Sequence, residues 1–113
     1  KITVRGESKP GIPSKPFFTS VTNTSLDIRW YPPCDSDTCQ VSGYTVQYQI
    51  VGGNSWQMAV AACQTTHTTV ENLVSGTTYR FLVTAHNEKG QSLDSEPSEP
   101  VTIGTLGIYF SYL

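Results

Sequence analysis

The sequence is short of charge: Asp, Glu, Lys and Arg make up only 14% of its 113 residues, and the net charge is −2. Its seven basic residues are scattered from Lys1 to Lys89 and form no stripe that could neutralise phosphates, so no nucleic-acid partner is expected. No apolar run approaches the roughly 20 residues that a spanning helix needs, so no membrane insertion is expected. The opening Lys1-Ile2-Thr3-Val4-Arg5-Gly6 holds no apolar stretch of the signal-peptide kind. Nowhere do apolar residues recur at helical period, which removes helices from the expected architecture.

Cysteine is scarce too, and its three copies exclude more than they offer. Cys34 and Cys39 flank Asp35-Ser36-Asp37-Thr38, while Cys63 stands apart. A local Cys34–Cys39 disulfide is sterically possible and leaves Cys63 as an odd thiol. Zinc needs more ligands than this pair supplies, and neither His67 nor His86 stands at finger-like spacing. Asp35 and Asp37 lack the glycine and distal glutamate of a calcium loop. Cys63 and His67, four residues apart in an extended segment, would stand about 13 Å from each other. No third group is there to orient them as a nucleophile and base. No metal, cofactor or catalytic residue is therefore expected, and the chain reads as a non-enzyme.

What the sequence does have is period two. Leu26, Ile28 and Trp30 alternate with Asp27 and Arg29; Tyr44, Val46, Tyr48 and Ile50 alternate with Thr45, Gln47 and Gln49. Tyr79, Phe81, Val83 and Ala85 repeat the pattern against Arg80, Leu82, Thr84 and His86, with Leu82 the one apolar residue on the outer side. Val101 and Ile103 give a shorter instance. Between these runs lie turn signals such as Pro32-Pro33, Gly52-Gly53-Asn54, Ser75-Gly76 and Glu88-Lys89-Gly90. The length fits one domain. The spacing predicts an all-β fold, a seven-stranded antiparallel two-sheet sandwich. Its strands are expected at residues 17–22, 26–31, 43–51, 55–61, 66–71, 78–87 and 100–105. Expected core residues are Leu26, Ile28, Trp30, Tyr44, Val46, Tyr48, Val70, Leu73, Tyr79, Phe81 and Val83. Residues 1–10 are expected to be the end of an upstream domain and a linker, 11–105 the domain, and 106–113 a linker or tail.

Trp30, the run Gly43-Tyr44-x-Val46-x-Tyr48, and Leu73-x5-Tyr79-x-Phe81-x-Val83-x-Ala85-x-Asn87-x-x-Gly90 together resemble the fibronectin type III pattern, of the immunoglobulin-like sandwich class. That resemblance implies a tyrosine corner, with the Tyr79 hydroxyl reaching back to a backbone group in the connection between the expected strands at 66–71 and 78–87. It also implies a module that spaces or binds. Arg5-Gly6-Glu7 carries Glu where the integrin-binding tripeptide has Asp, and it lies outside the loop that presents that motif. The Trp-Ser-x-Trp-Ser element of cytokine-receptor modules is absent; the stretch reads Ser95-Glu96-Pro97-Ser98-Glu99-Pro100.

A second set of residues, Ser55-Trp56-Gln57, Val60-Ala61-x-Cys63, Thr66, Val70 and Leu73, followed by Glu96-Pro97-Ser98-Glu99-Pro100-Val101, resembles modules of the titin and myosin light-chain-kinase family. This implies a cytoplasmic, cytoskeleton-associated parent that places the module among immunoglobulin-like or fibronectin type III neighbours, with a kinase domain in some members. The alternative is an extracellular adhesion or receptor module. Asn23-Thr24-Ser25 is a glycosylation sequon in an expected surface turn, and a Cys34–Cys39 bond would fit an oxidising compartment. Trp56, on an expected edge strand, is the residue placed to touch an unidentified protein partner, or else to cover the sheet edge beside Met58 or Val60.

Overall fold

In a computed structural model, which describes residues 9–33 and 41–104, the alternating runs become strands of two antiparallel sheets. The strands are β1 (Phe17–Val21), β2 (Leu26–Arg29), β3 (Gly43–Ile50), β4 (Gln57–Cys63), β5 (His67–Val70), β6 (Thr78–Asn87), β7 (Gly90–Gln91) and β8 (Val101–Thr102). One sheet runs β1-β2-β5; the other runs β4-β3-β6-β7, with β8 paired to the start of β6. The longest ladder joins β3 to β6 from Gly43↔His86 to Ile50↔Tyr79.

Alternation decides what each sheet hides. Leu26, Ile28 and Trp30 point from the first sheet onto Tyr44, Val46, Tyr79, Phe81, Val83 and Ala85 of the second, with Val70, Leu73, Val101 and Ile103 closing the cluster. Trp30 is buried, and Tyr44 meets it edge-on with ring centroids 5.4 Å apart. The Trp30 Nε1 has no hydrogen-bond partner among the described residues. An unpaired buried donor costs about 1–3 kcal/mol, so Trp30 contributes through its volume and not through its nitrogen. Burial also pushes the Tyr44 hydroxyl pKa upward, with the nearby Cys63 adding to the shift.

Tyr48 departs from the expected core. It is half-buried and packs against the cluster's margin, stacked on Tyr79 at 5.6 Å, and its hydroxyl donates to Gln57 Oε1 at 3.3 Å. The hydroxyl needs a wet partner, so the ring stops short of full burial. The Tyr79 hydroxyl accepts the Val74 N–H at 2.9 Å, which is the corner expected from the resemblance. Leu82 is 3% exposed yet lies outside the core cluster, on the outer side of β6.

Among the described residues the strands number eight, not seven, because Gly90–Gln91, beside the expected turn at Glu88-Lys89-Gly90, pairs with the end of β6 as an extra strand. Of the expected last strand, 100–105, Val101–Thr102 pairs with the start of β6. Between them Ser92, Ser95 and Ser98 do the pairing. Each donates its backbone N–H to a β6 carbonyl, those of Ala85, Val83 and Phe81 at 2.7–2.9 Å. Each Oγ accepts the N–H of that same residue at 2.9–3.0 Å. It then donates to the carbonyl of the next residue along its own chain. Three residues of this segment thus match two of β6, and every buried polar atom in the exchange is satisfied. The fourth strand also sits two residues later than expected, at Gln57–Cys63, and β2 stops at Arg29.

Two substitutions test this account. Trp30→Ala is expected to cost about 3–5 kcal/mol by leaving a cavity, and an unchanged urea midpoint would remove Trp30 from the core. Ser95→Ala strips the acceptor from the buried Val83 N–H and is expected to cost about 1–3 kcal/mol. A Ser95→Ala midpoint indistinguishable from wild type would show that the side-chain half of the ladder carries no stability.

Candidate functional site

The described chain enters the sandwich through residues 9–16 and leaves it at residues 103–104. On the incoming side Pro10, Pro13 and Pro16 are all buried. Each ring fixes φ, so this stretch is stiff before it packs. Ser14 clips it to the segment after β2: its N–H donates to the Tyr31 carbonyl at 3.2 Å, and its Oγ accepts the Tyr31 N–H at 2.8 Å. A Cβ on Gly90, which holds φ at 136°, would stand 3.0 Å from Lys9 Cε, so the Lys9 stem lies across the β6–β7 turn. The Lys15 ammonium pairs with the Glu99 carboxylate, tying the same stretch to the serine segment. That hydrogen bond raises the Lys15 pKa and lowers that of Glu99. Both groups face water, so the pair is screened and weak.

The outgoing side is fixed at the other end of β6. Gly76 N–H donates to the Ile103 carbonyl at 2.7 Å, Ile103 N–H to Thr77 at 3.0 Å, and Gly104 N–H to Thr22 at 3.2 Å. Gly104 sits at φ 78°, and a Cβ there would collide with Ser75 Oγ. Only glycine suits both the dihedral and the space. With Gly90 beyond the last residue of β6 and Ile103 bonded beside its first, the two attachments lie about 30 Å apart along a ten-residue strand.

Other sequence candidates fall as follows. Asn23 is exposed in the turn between β1 and β2, where Thr22 Oγ1 accepts the N–H of Thr24 and of Ser25. Trp56 is half-buried just before β4, and the β3–β4 register puts it on the outer row of Gln49 and Arg80. Met58 shares that face and is 62% exposed, while Val60 turns inward against the core. Cys63 is half-buried, and its segment toward His67 is a turn and not extended. The thiol approaches the Thr65 carbonyl at 3.4 Å and the His67 carbonyl at 3.6 Å, not the imidazole. Cys34, Cys39, Asp35, Asp37 and Arg5-Gly6-Glu7 lie outside the described residues. Among the described residues no group of three or more His, Cys, Asp or Glu side chains could hold a metal ion, and no helix is long and apolar enough to cross a membrane.

Reading by period two missed the three serines and Ser14, because a polar residue at every third position is invisible to it. The signal was present as Ser92-x-x-Ser95-x-x-Ser98.

Comparison with known proteins gives the family. The model of the fibronectin type III domain matches residues 11–103. Myosin-binding protein H of Gallus gallus is 30% identical over 91 residues, 80% of this chain and 17% of that protein. Roundabout homolog 2 of Homo sapiens is 39% identical over 93 residues, 81% of this chain and 7% of that protein. The twitchin kinase region from C. elegans matches with a TM-score of 0.78 at 32% identity, over 86% of this chain and 17% of that one. The chain therefore spans less than a fifth of each. It belongs to the fibronectin type III family, and it is a non-catalytic structural and interaction module of the kind found in multidomain muscle proteins and in receptors.

Proposed function

We propose that this module is a spacer that holds neighbouring immunoglobulin-like or fibronectin type III domains at a set distance and angle within a cytoplasmic, cytoskeleton-associated protein of the titin or myosin light-chain-kinase type. The observation that supports the reading is the placing of two described segments: Lys9 lies against Gly90 beyond one end of β6 with Ser14 clipped to Tyr31, and Ile103 and Gly104 are hydrogen-bonded beside the other end. A tether hung on a loose segment would pass neither direction nor load, whereas these two segments are bonded into the sandwich. The likeness to twitchin's kinase region supports a parent that also carries a kinase domain. In this reading Trp56 is the partner contact on the β4 side, and Cys34, Cys39 and Cys63 are free thiols.

Backbone amide relaxation tests the spacer itself. Gly11, Ile12 and Gly104 are expected to show order parameters near the 0.85 of rigid strands; values below about 0.6 would make the ends loose and defeat the proposal.

A second reading rests on the likeness to Roundabout homolog 2 and on the exposed Asn23 sequon: a module of an adhesion or receptor protein. The two diverge in covalent chemistry. The cytoplasmic module titrates three thiols in native material and folds the same with or without reductant. A Cys34–Cys39 bond by mass spectrometry, or a glycan on Asn23 after passage through a secretory pathway, would favour the receptor instead.

A further inference from the structure

The outer face of the β1-β2-β5 sheet is not a uniform polar surface. The register sets Phe17 opposite Arg29 and Arg29 opposite His67, one side chain from each strand in a single row. Opposed residues carry their Cβ atoms roughly 5 Å apart, so the three form one strip. All three are exposed, and Tyr31, two residues beyond Arg29 on the same face, is 65% exposed. The Phe17 and Tyr31 rings pack at 5.6 Å and 34°, which makes an apolar flange beside the guanidinium. Neither the Arg29 nor the His67 side chain has an ion pair or hydrogen bond among the described residues. The carboxylate next along the face, Asp27, accepts from Thr69 Oγ1 at 2.6 Å.

Tyrosine, phenylalanine and arginine are residues on which interfaces concentrate their energy. Ser14 fixes the Tyr31 backbone through two hydrogen bonds, so little order remains to be gained on contact.

The complement to this strip stands on the same molecule's other sheet. Between and beyond the first two serines, Leu93, Asp94 and Glu96 face water, Leu93 at 75% exposure. The serine ladder holds their backbone rigidly to β6. This ridge sets carboxylates beside an aliphatic side chain, as the strip sets the Arg29 guanidinium and the His67 imidazole beside aromatic ones. We propose that the strip of Phe17, Tyr31, Arg29 and His67 receives the Leu93–Asp94–Glu96 ridge of a second copy of this chain. Leu93 covers the rings, while Asp94 and Glu96 meet Arg29 and His67. Strip and ridge are different surfaces, so the contact is head-to-tail and does not stop at a dimer unless the rotation closes. Its small area places it among weak encounters, with a dissociation constant on the order of 1 mM.

Sedimentation equilibrium on the full chain, from about 0.05 to 1 mM, reads the contact directly. The weight-average mass is expected to rise above the 12.4 kDa monomer with concentration. The rise should shrink between about 50 and 500 mM salt as opposite charges are screened. Arg29→Glu is expected to weaken association at least about fivefold. Its urea midpoint should stay at wild type, because the Arg29 side chain is exposed and makes no ion pair or hydrogen bond among the described residues. Mixing R29E with the double variant D94K, E96K should restore association that neither shows alone. A chain that stays monomeric throughout, an R29E that associates like wild type, or a mixture that fails to recover would each overturn the proposal.

Discussion

Strand β6 carries backbone polar groups on both of its edges through the middle of the sandwich, and in a buried strand each must find a partner. The even-numbered residues turn toward β3 and complete a ladder of eight pairs. Odd-numbered Phe81, Val83 and Ala85 turn the other way, to a segment too rich in proline and acid to run as a strand. Three serines answer for it, each supplying a donor from its backbone and an acceptor from its side chain. Much else hangs on this strand. Tyr79, Phe81 and Val83 fill the core from it, the tyrosine corner fixes the turn before it, and both chain attachments sit at its two ends.

The sandwich was legible because burial on one face imposes a period of two, and that period survives in single residues such as Leu26, Ile28 and Trp30. The same logic failed where pairing no longer follows the pleat. Ser92, Ser95 and Ser98 recur every three residues because three of theirs span two of β6, so the stretch read as polar punctuation beside a short strand. Tyr48 keeps the inward parity but not full burial, since its hydroxyl must reach Gln57. The segment after Cys63 looked extended on spacing alone, and Thr65 turns it by bonding the His67 carbonyl at 2.7 Å. The clamps at the ends were hidden for another reason. A buried proline and an exposed one look alike in sequence, and Gly104 reveals its role only once Ser75 is seen against it.

Tandem modules face a hazard that follows from being alike: neighbouring copies offer each other compatible sheet edges at high local concentration. The edges of this sandwich are uneven. Strand β1 carries a register shift between Phe18 and Ser20, and β4 carries two within seven residues. A bulge bends the strand and leaves backbone groups out of line for a new partner. The serine segment, broken by Pro97 and Pro100, presents no continuous row of donors on the remaining long edge. What is left at the first sheet's other edge is β5, four residues long.

Blunted edges shift recognition onto faces, and this changes what kind of contact the module can make. Edge pairing is read mainly by backbone, is insensitive to sequence, and among repeated domains invites aggregation. A face contact depends on the side chains that project from it. Here the sheet fixes which ones those are: a one-residue slip in β2 would bury Arg29 and Tyr31 and expose Ile28 and Trp30. The core therefore enforces the register that sets Phe17, Arg29 and His67 in one row. Stability and surface chemistry are in this way the same constraint seen from the two sides of one strand.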